Sequence, residues 1–157
     1  MRGVLFAVLL MTVPAMADGL PAAPFAALTG NWHCDGSFPA SGKTISSDLR
    51  FVWDAATGTL TKHHDDVAPN TYHAIELWAA AKSGLQARIA DSFGGVRDFT
   101  SAGWTGNTLT WQGAQTTPYY ERFVYTKLDA STLRIDWDVS KDGAAYKTGD
   151  TLTCKKT

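Results

Sequence analysis

One group of histidines and aspartates has residue types and spacing that could bind a metal. The run His63-His64-Asp65-Asp66 is followed by His73, with Pro69 between them. If the two segments pair as a hairpin, Asp65 lies opposite His73, and His63 lies two residues along on the same side. Two imidazoles and a carboxylate can hold zinc and leave one position open. Polar residues that lead into a Pro-Asn turn are more typical of a solvated loop, so we favour the loop and expect no metal or cofactor.

Other catalytic patterns have less support in the sequence. There is no Gly-x-Ser-x-Gly motif, and neither the Ser46-Ser47 pair nor Ser101 has a histidine close by in sequence. An arginine inside a barrel could bind the carboxylate of a ligand, and Arg97, which shares a face with Phe99, is the candidate. The sequence therefore favours a protein that is not an enzyme.

The first residues have the organisation of a secretory signal peptide. Met1-Arg2 supplies a positive start, residues 4–13 form an apolar run too short to cross a bilayer, and Ala15-Met16-Ala17 is a cleavage site. Cleavage after Ala17 predicts a periplasmic or secreted protein. In an oxidising compartment an even number of cysteines favours a disulfide, here between Cys34 and Cys154.

Composition limits the partners of the exported chain. The formal net charge is -1 and 18% of residues are charged, which gives no basis for binding nucleic acid. No second apolar segment approaches membrane length, so we expect no integral membrane association. After a lead-in over residues 18–28, with room for one helical turn near its end, residues 29–157 are expected to form one domain.

Turn signals recur about every 8–12 residues, the spacing typical of an all-β sandwich or barrel. The predicted strands are 30–37, 45–54, 58–65, 72–79, 84–91, 95–102, 107–113, 118–127, 132–139 and 146–155. Short connections make successive strands antiparallel neighbours. A disulfide between the first strand and the last then predicts that the sheet closes. The expected fold is all-β, an antiparallel up-and-down β-barrel of about ten strands.

Period-two alternation places large aromatic residues on one face of these strands. That face could fill a core or line a cavity, and a barrel of ten strands is wider than one that side chains just fill. The cavity-lining candidates are Trp53, Trp78, Arg97, Phe99, Trp111, Phe123, Tyr125 and Trp137.

Two segments resemble a known superfamily. The start of the first strand, Leu28-Thr29-Gly30-Asn31-Trp32, is similar to the Gly-x-Trp signature of calycin barrels, which include lipocalins, fatty-acid-binding proteins and nitrobindin-like proteins. Residues 101–109 resemble a strand-turn-strand of small, exported, uncharacterised bacterial calycin-like proteins. The resemblance implies that Trp32 plugs one end of the barrel beside a basic residue of the last strand, Lys155 or Lys156.

The resemblance also implies that a small apolar molecule binds inside the barrel. The nitrobindin-like branch holds haem through a histidine late in the chain, whereas every histidine here lies at or before residue 73. Two alternatives remain open. A packed barrel would act through its surface as a partner-binding or inhibitory module, and a metal-dependent enzyme would use His63, Asp65 and His73.

Overall fold

The computed structural model describes residues 19–157, so the predicted signal peptide lies outside the described residues. One short helix is followed by eleven strand segments. The elements are α1 Ala22–Ala26, β1 Gly30–Phe38, β2 Lys43–Asp54, β3 Thr59–Asp66, β4 His73–Ala80, β5 Leu85–Asp91, β6 Val96–Ser101, β7 Trp104–Thr105, β8 Thr108–Gly113, β9 Tyr120–Lys127, β10 Thr132–Ser140 and β11 Lys147–Lys156.

The strands form one closed antiparallel sheet. Consecutive strands pair with each other except β6 and β7, β1 pairs with β11, and β6 pairs with β8 to complete the ring. The segment β7 has only two residues and pairs with β8 in a short hairpin. The barrel therefore has ten strands, as the turn spacing predicts.

The predicted disulfide is present. Cys34 of β1 and Cys154 of β11 lie directly opposite each other in the antiparallel register, are bonded, and are both fully buried. This bond joins the first strand to the last and is consistent with an oxidising compartment. Across residues 19–157, no helix is both long enough and apolar enough to cross a membrane.

Helix α1 covers one end of the barrel, here called the plugged end. The Phe25 ring is fully buried, with its centroid 6.2 Å from that of Trp78. Trp32 is buried beside the helix and donates a hydrogen bond from Nε1 to the carbonyl oxygen of Leu28, at 2.8 Å. Lys156 Nζ lies 5.5 Å from the Trp32 ring centroid, so Lys156 is the basic residue of the last strand that packs on this tryptophan.

The half of the barrel next to α1 is tightly packed. Trp78 lies at its centre, with ring centroids 5.0 Å from Trp111 and 5.2 Å from Tyr125. Buried leucines surround these rings, namely Leu49, Leu60, Leu109 and Leu133. Side chains therefore fill this half, and any space for a ligand lies towards the opposite, open end.

Candidate functional site: a cavity at the open end

The open end of the barrel contains a cavity of about 580 Å³. Residues 69–72 of the β3–β4 turn and residues 93 and 95 of the β5–β6 turn lie at its mouth. Most of its wall is apolar, formed by Phe38, Ile45, Pro69, Tyr72, Phe93, Tyr119, Phe123, Ile135, Trp137 and Leu152. Its volume falls within the range of about 300–1,000 Å³ that small-molecule sites occupy.

Strand β3 supplies the most polar part of the wall. Leu60, Lys62, His64 and Asp66 alternate along the strand and face the interior. This orientation follows from register, because Lys62 lies opposite the buried Phe51 of β2. The sequence contains a signal for these inward polar residues. Apolar residues alternate along β2, and the residues of β3 that pair with them in the β2–β3 hairpin must face the same side of the sheet.

A buried ion pair lies at the floor of the cavity. Lys62 Nζ donates to Glu76 Oε1 at 2.7 Å and to the Tyr125 hydroxyl at 2.9 Å. The other Glu76 oxygen accepts a hydrogen bond from Trp78 Nε1 at 2.9 Å. Because both charges are almost fully buried, these bonds offset a large desolvation cost and fix the boundary between the packed half and the cavity.

Arg97 lines the cavity, as predicted, but its guanidinium is already engaged. One terminal nitrogen donates to Glu121 Oε2 at 2.7 Å, and the other lies 3.2 Å from Asp91 Oδ2 and donates to the Tyr72 hydroxyl at 3.1 Å. Glu121 Oε2 also accepts from Trp137 Nε1 at 3.0 Å. Of the three guanidinium nitrogens of Arg97, Nε is the one that is buried without a hydrogen-bond partner within residues 19–157. Arg97 therefore braces the wall and has little capacity for a ligand carboxylate.

Two carboxyl groups and a histidine complete the polar surface. Burial lowers the pKa of His64, so its ring is neutral near pH 7. Burial disfavours the Asp66 carboxylate, yet hydrogen bonds from His64 and Ser47 hold its pKa below the usual value. Asp150 of β11 differs, since burial and the charge of Asp66 raise its pKa to about 7.

The aromatic candidates divide by their depth along the barrel axis. Phe123 and Trp137 line the cavity together with Arg97. The other candidates lie elsewhere: Trp78, Phe99, Trp111 and Tyr125 are buried in the core, and Trp53 packs against the core, partly buried. Alternation identifies which face of a strand points inward, but it carries no information on how far α1 and its Phe25 fill the interior.

His63, Asp65 and His73 do not converge on the cavity. Asp65 lies opposite His73 as predicted, and the two side chains hydrogen-bond at 2.8 Å, but both are exposed on the outer face. His63 is on the same outward side of β3, opposite Ile75. Within residues 19–157, no three His, Cys, Asp or Glu side chains are placed to hold a metal ion together.

A serine, a histidine and an aspartate that the sequence does not bring together meet on the outer face of β1 and β2. His33 Nδ1 lies 2.7 Å from Asp48 Oδ1, and His33 Nε2 lies 3.4 Å from Ser46 Oγ. The Ser46 hydroxyl, however, is within hydrogen-bonding distance of two better acceptors, the Cys34 carbonyl at 3.2 Å and Asp35 at 2.9 Å. The cluster lies on an exposed sheet face outside the cavity, so its geometry gives no support for a nucleophile.

Comparison with known proteins adds no family to this description. No protein-family model matches the chain, and no curated protein matches it. The functional interpretation therefore depends on the cavity, its shape and the chemistry of its wall.

Proposed function

We propose that this protein is exported and binds a small, largely hydrophobic molecule in the cavity at the open end of the barrel. The observation that carries the proposal is the cavity itself, about 580 Å³ in volume and lined mainly by aromatic and aliphatic side chains. The disulfide and the charged, apolar and small-residue pattern of the first 17 residues support export.

The size of the cavity argues against a packing defect. Protein interiors are close-packed, and voids much larger than a water molecule are few because each lost contact costs free energy. Here buried side chains fill the plugged half of the same barrel around Trp78, whereas the open half encloses the cavity. A concave, mainly apolar space of this size is what a small-molecule site requires.

Aromatic residues at the mouth also support a hydrophobic ligand. Phe93 is 77% exposed, and its ring centroid lies 5.7 Å from that of Tyr72 in the cavity wall. On another part of the wall the Tyr119 ring packs edge-on against Trp137, with centroids 6.1 Å apart. These rings offer an apolar surface that continues from the mouth into the interior.

A neutral fluorophore tests the proposal directly. N-phenyl-1-naphthylamine should become brighter on binding, and Ile135→Trp should weaken binding by about tenfold or more because the larger side chain fills the cavity that Ile135 lines. Ile75→Trp is the matched control, because Ile75 is 48% exposed on the outer face of β4. The control should bind as the original protein does.

Two results would contradict the proposal. One is the absence of any fluorescence change with the original protein, and the other is an equal loss of binding in both variants. Either result would favour the surface-acting alternative, for which the exposed Ile75 and Leu77 on the outer face of β4 are the first candidates.

A further inference from the structure

The charges around the cavity do not balance. Its two cations are Lys62 and Arg97, and both are committed to carboxylates of the protein. Lys62 pairs with Glu76, and Arg97 pairs with Asp91 and Glu121. In these contacts three carboxylates, those of Glu76, Asp91 and Glu121, share the two positive charges. The remaining carboxyl groups of the wall therefore form no ion pair with a lysine or arginine of the described part of the chain.

Asp66 and Asp150 are these remaining groups. Asp66 accepts hydrogen bonds from the Ser47 hydroxyl at 2.7 Å and from His64 at 3.1 Å, so its oxygens are partly satisfied by neutral donors. The Asp150 carboxyl lines the cavity and makes no hydrogen bond with any side chain in residues 19–157. It is a half-buried acid that faces a space large enough for a ligand, with a second carboxylate nearby.

From this geometry we infer that the ligand is a small hydrophobic amine, with its ammonium group at Asp150 and its apolar body against the aromatic wall. The inference rests on the proposed function, since it specifies the chemistry of the molecule in the cavity. An ammonium group would give Asp150 a charged hydrogen-bond donor and reduce its repulsion with Asp66. Trp137 lies opposite Asp150 in the β10–β11 register, so its ring is available to the same cation.

A ligand carboxylate would meet the opposite situation. It would add a negative charge to a wall where carboxylates already outnumber cations, and it would compete with Glu121 and Asp91 for Arg97. The same apolar chain should therefore bind more weakly with an anionic head than with a neutral one. Head-group charge, rather than chain length, separates the candidate ligands.

Three probes with one chain and different head groups test the inference by calorimetry at pH 8: decylamine and decanoate below their micelle concentrations, and decan-1-ol below its solubility limit. Decylamine should bind about tenfold or more tightly than decan-1-ol, because its ammonium group gives the Asp150 carboxylate a charged hydrogen-bond donor. Decanoate should bind most weakly of the three.

Two variants locate the effect. Asp150→Asn should reduce the affinity for decylamine by a much larger factor than the affinity for decan-1-ol, so that the preference for the amine is lost. Asp65→Asn is the control. It also removes one carboxylate, but Asp65 is exposed on the outer face of β3, next to Asp66 in the sequence, so this variant should change neither affinity. An equal loss in both variants would indicate a general charge effect and overturn the inference.

Acidity gives a second readout. Below pH 7 the protonated Asp150 should hold an ammonium group less well, so decylamine affinity should fall by a larger factor than decan-1-ol affinity. Asp66 and Lys62 from β3 and Asp136 from β10 also act on Asp150, and they remain in Asp150→Asn. A pH dependence that persists in this variant would therefore exclude Asp150 as its source.

The probes also separate the two proposals from each other. If decan-1-ol or decanoate binds as tightly as decylamine and Ile135→Trp weakens that binding, the cavity binds small molecules but the preference for amines is wrong. If none of the three probes binds, the hydrophobic cavity site and the inferred amine both fail for ligands of this kind.

Discussion

Charged side chains inside this barrel are compatible with a stable fold where each one has a partner. Lys62 and Glu76 pair within the core, and Arg97 pairs with Glu121. Removal of one member of such a pair typically costs about 3–5 kcal/mol, because it leaves a buried charge without compensation. Asp150 is different, since its carboxyl group has no hydrogen-bond or ion-pair partner within residues 19–157 and its ionised form is disfavoured by burial. At this position the charge lowers the stability of the protein.

The pKa of Asp150 predicts a specific dependence of stability on pH. Burial and the charge of Asp66 raise this pKa to about 7 from its ordinary value of 3.8, so between these values the folded chain holds a proton that the unfolded chain has lost. Stability from this group is therefore present below about pH 4 and lost as pH rises to about 7. Asp150→Asn should be more stable than the original protein at pH 8, by at most about 4 kcal/mol, and similar to it at pH 4.

Urea unfolding of the two proteins at a series of pH values measures this difference. The comparison cancels the titration of other groups, including His64, whose lowered pKa acts in the opposite direction. A difference that stays constant from pH 4 to pH 8 would show that Asp150 ionises normally in the folded protein. Exposed Asp65→Asn, used as the control, should follow the original protein throughout.

The sequence patterns predicted which side of the sheet a side chain faces better than they predicted which residues line the cavity. Alternation and the hairpin at Pro69 correctly placed Asp65 opposite His73, but the same alternation points His64 and Asp66 inward, and these are the residues that line the cavity. No such pattern identifies Asp150 as an inward residue. Its neighbours on β11, such as Thr148 and Thr151, are also polar, so apolar and polar residues do not alternate around it. Its role depends on which charges surround it, and only the folded barrel brings Asp66 close.

At the scale of elements, the pairing of β10 with β11 shapes one wall of the cavity. The register shifts between Trp137 and Asp138, so that Trp137 lies opposite Asp150 and Asp138 opposite Thr148. Gly149 is left between these pairs, and the Trp137 ring packs directly over it. A β-bulge of this kind redirects side chains, and here it places an indole against the cavity.

Gly149→Ala tests how closely the ring and the strand fit. A methyl group built at this position would lie 2.5 Å from Trp137 Cε3, which is too close for carbon atoms without a shift of the ring. We expect a loss of about 1–3 kcal/mol in the free energy of unfolding, as for other overpacked sites. In a Trp137→Leu background the alanine should cost little, and a double-mutant cycle by urea unfolding measures this coupling. Equal costs in both backgrounds would show that Trp137 is not the obstacle.

Strand boundaries were predictable because turns separate the strands so regularly. Each of the ten predicted strands corresponds to a strand of the barrel, with ends that differ by a few residues. The two-residue strand β7 was missed, since Trp104 and Thr105 lie between Gly103 and Gly106 and have no alternation of their own. Helix α1 was expected as one turn near Phe25, but its function as the cover of the plugged end depends on the side chains that meet Phe25 in the fold.

At the scale of the whole molecule, the β1–β11 and β6–β8 pairings, here called seams, close the ring of strands, and they differ in length. The pairing of β1 with β11 joins the two ends of the chain through six residue pairs, whereas β6 and β8 meet through only two. The disulfide reinforces the first of these seams, where the joined residues are 120 positions apart. Its main effect should be on the unfolded chain, which it restricts severely, because the folded seam already has its own hydrogen bonds.

Removal of the disulfide should therefore lower stability and leave the barrel intact. Cys34→Ala together with Cys154→Ala should lower the free energy of unfolding by about 2–5 kcal/mol. The dependence of that free energy on urea concentration should become steeper, because an unfolded chain without the cross-link exposes more surface. The original protein refolded under reducing conditions is the matched control, since it keeps both sulfur atoms in the core. If the double variant is much less stable than this reduced protein, lost packing at the two buried sites, rather than the cross-link, is the cause.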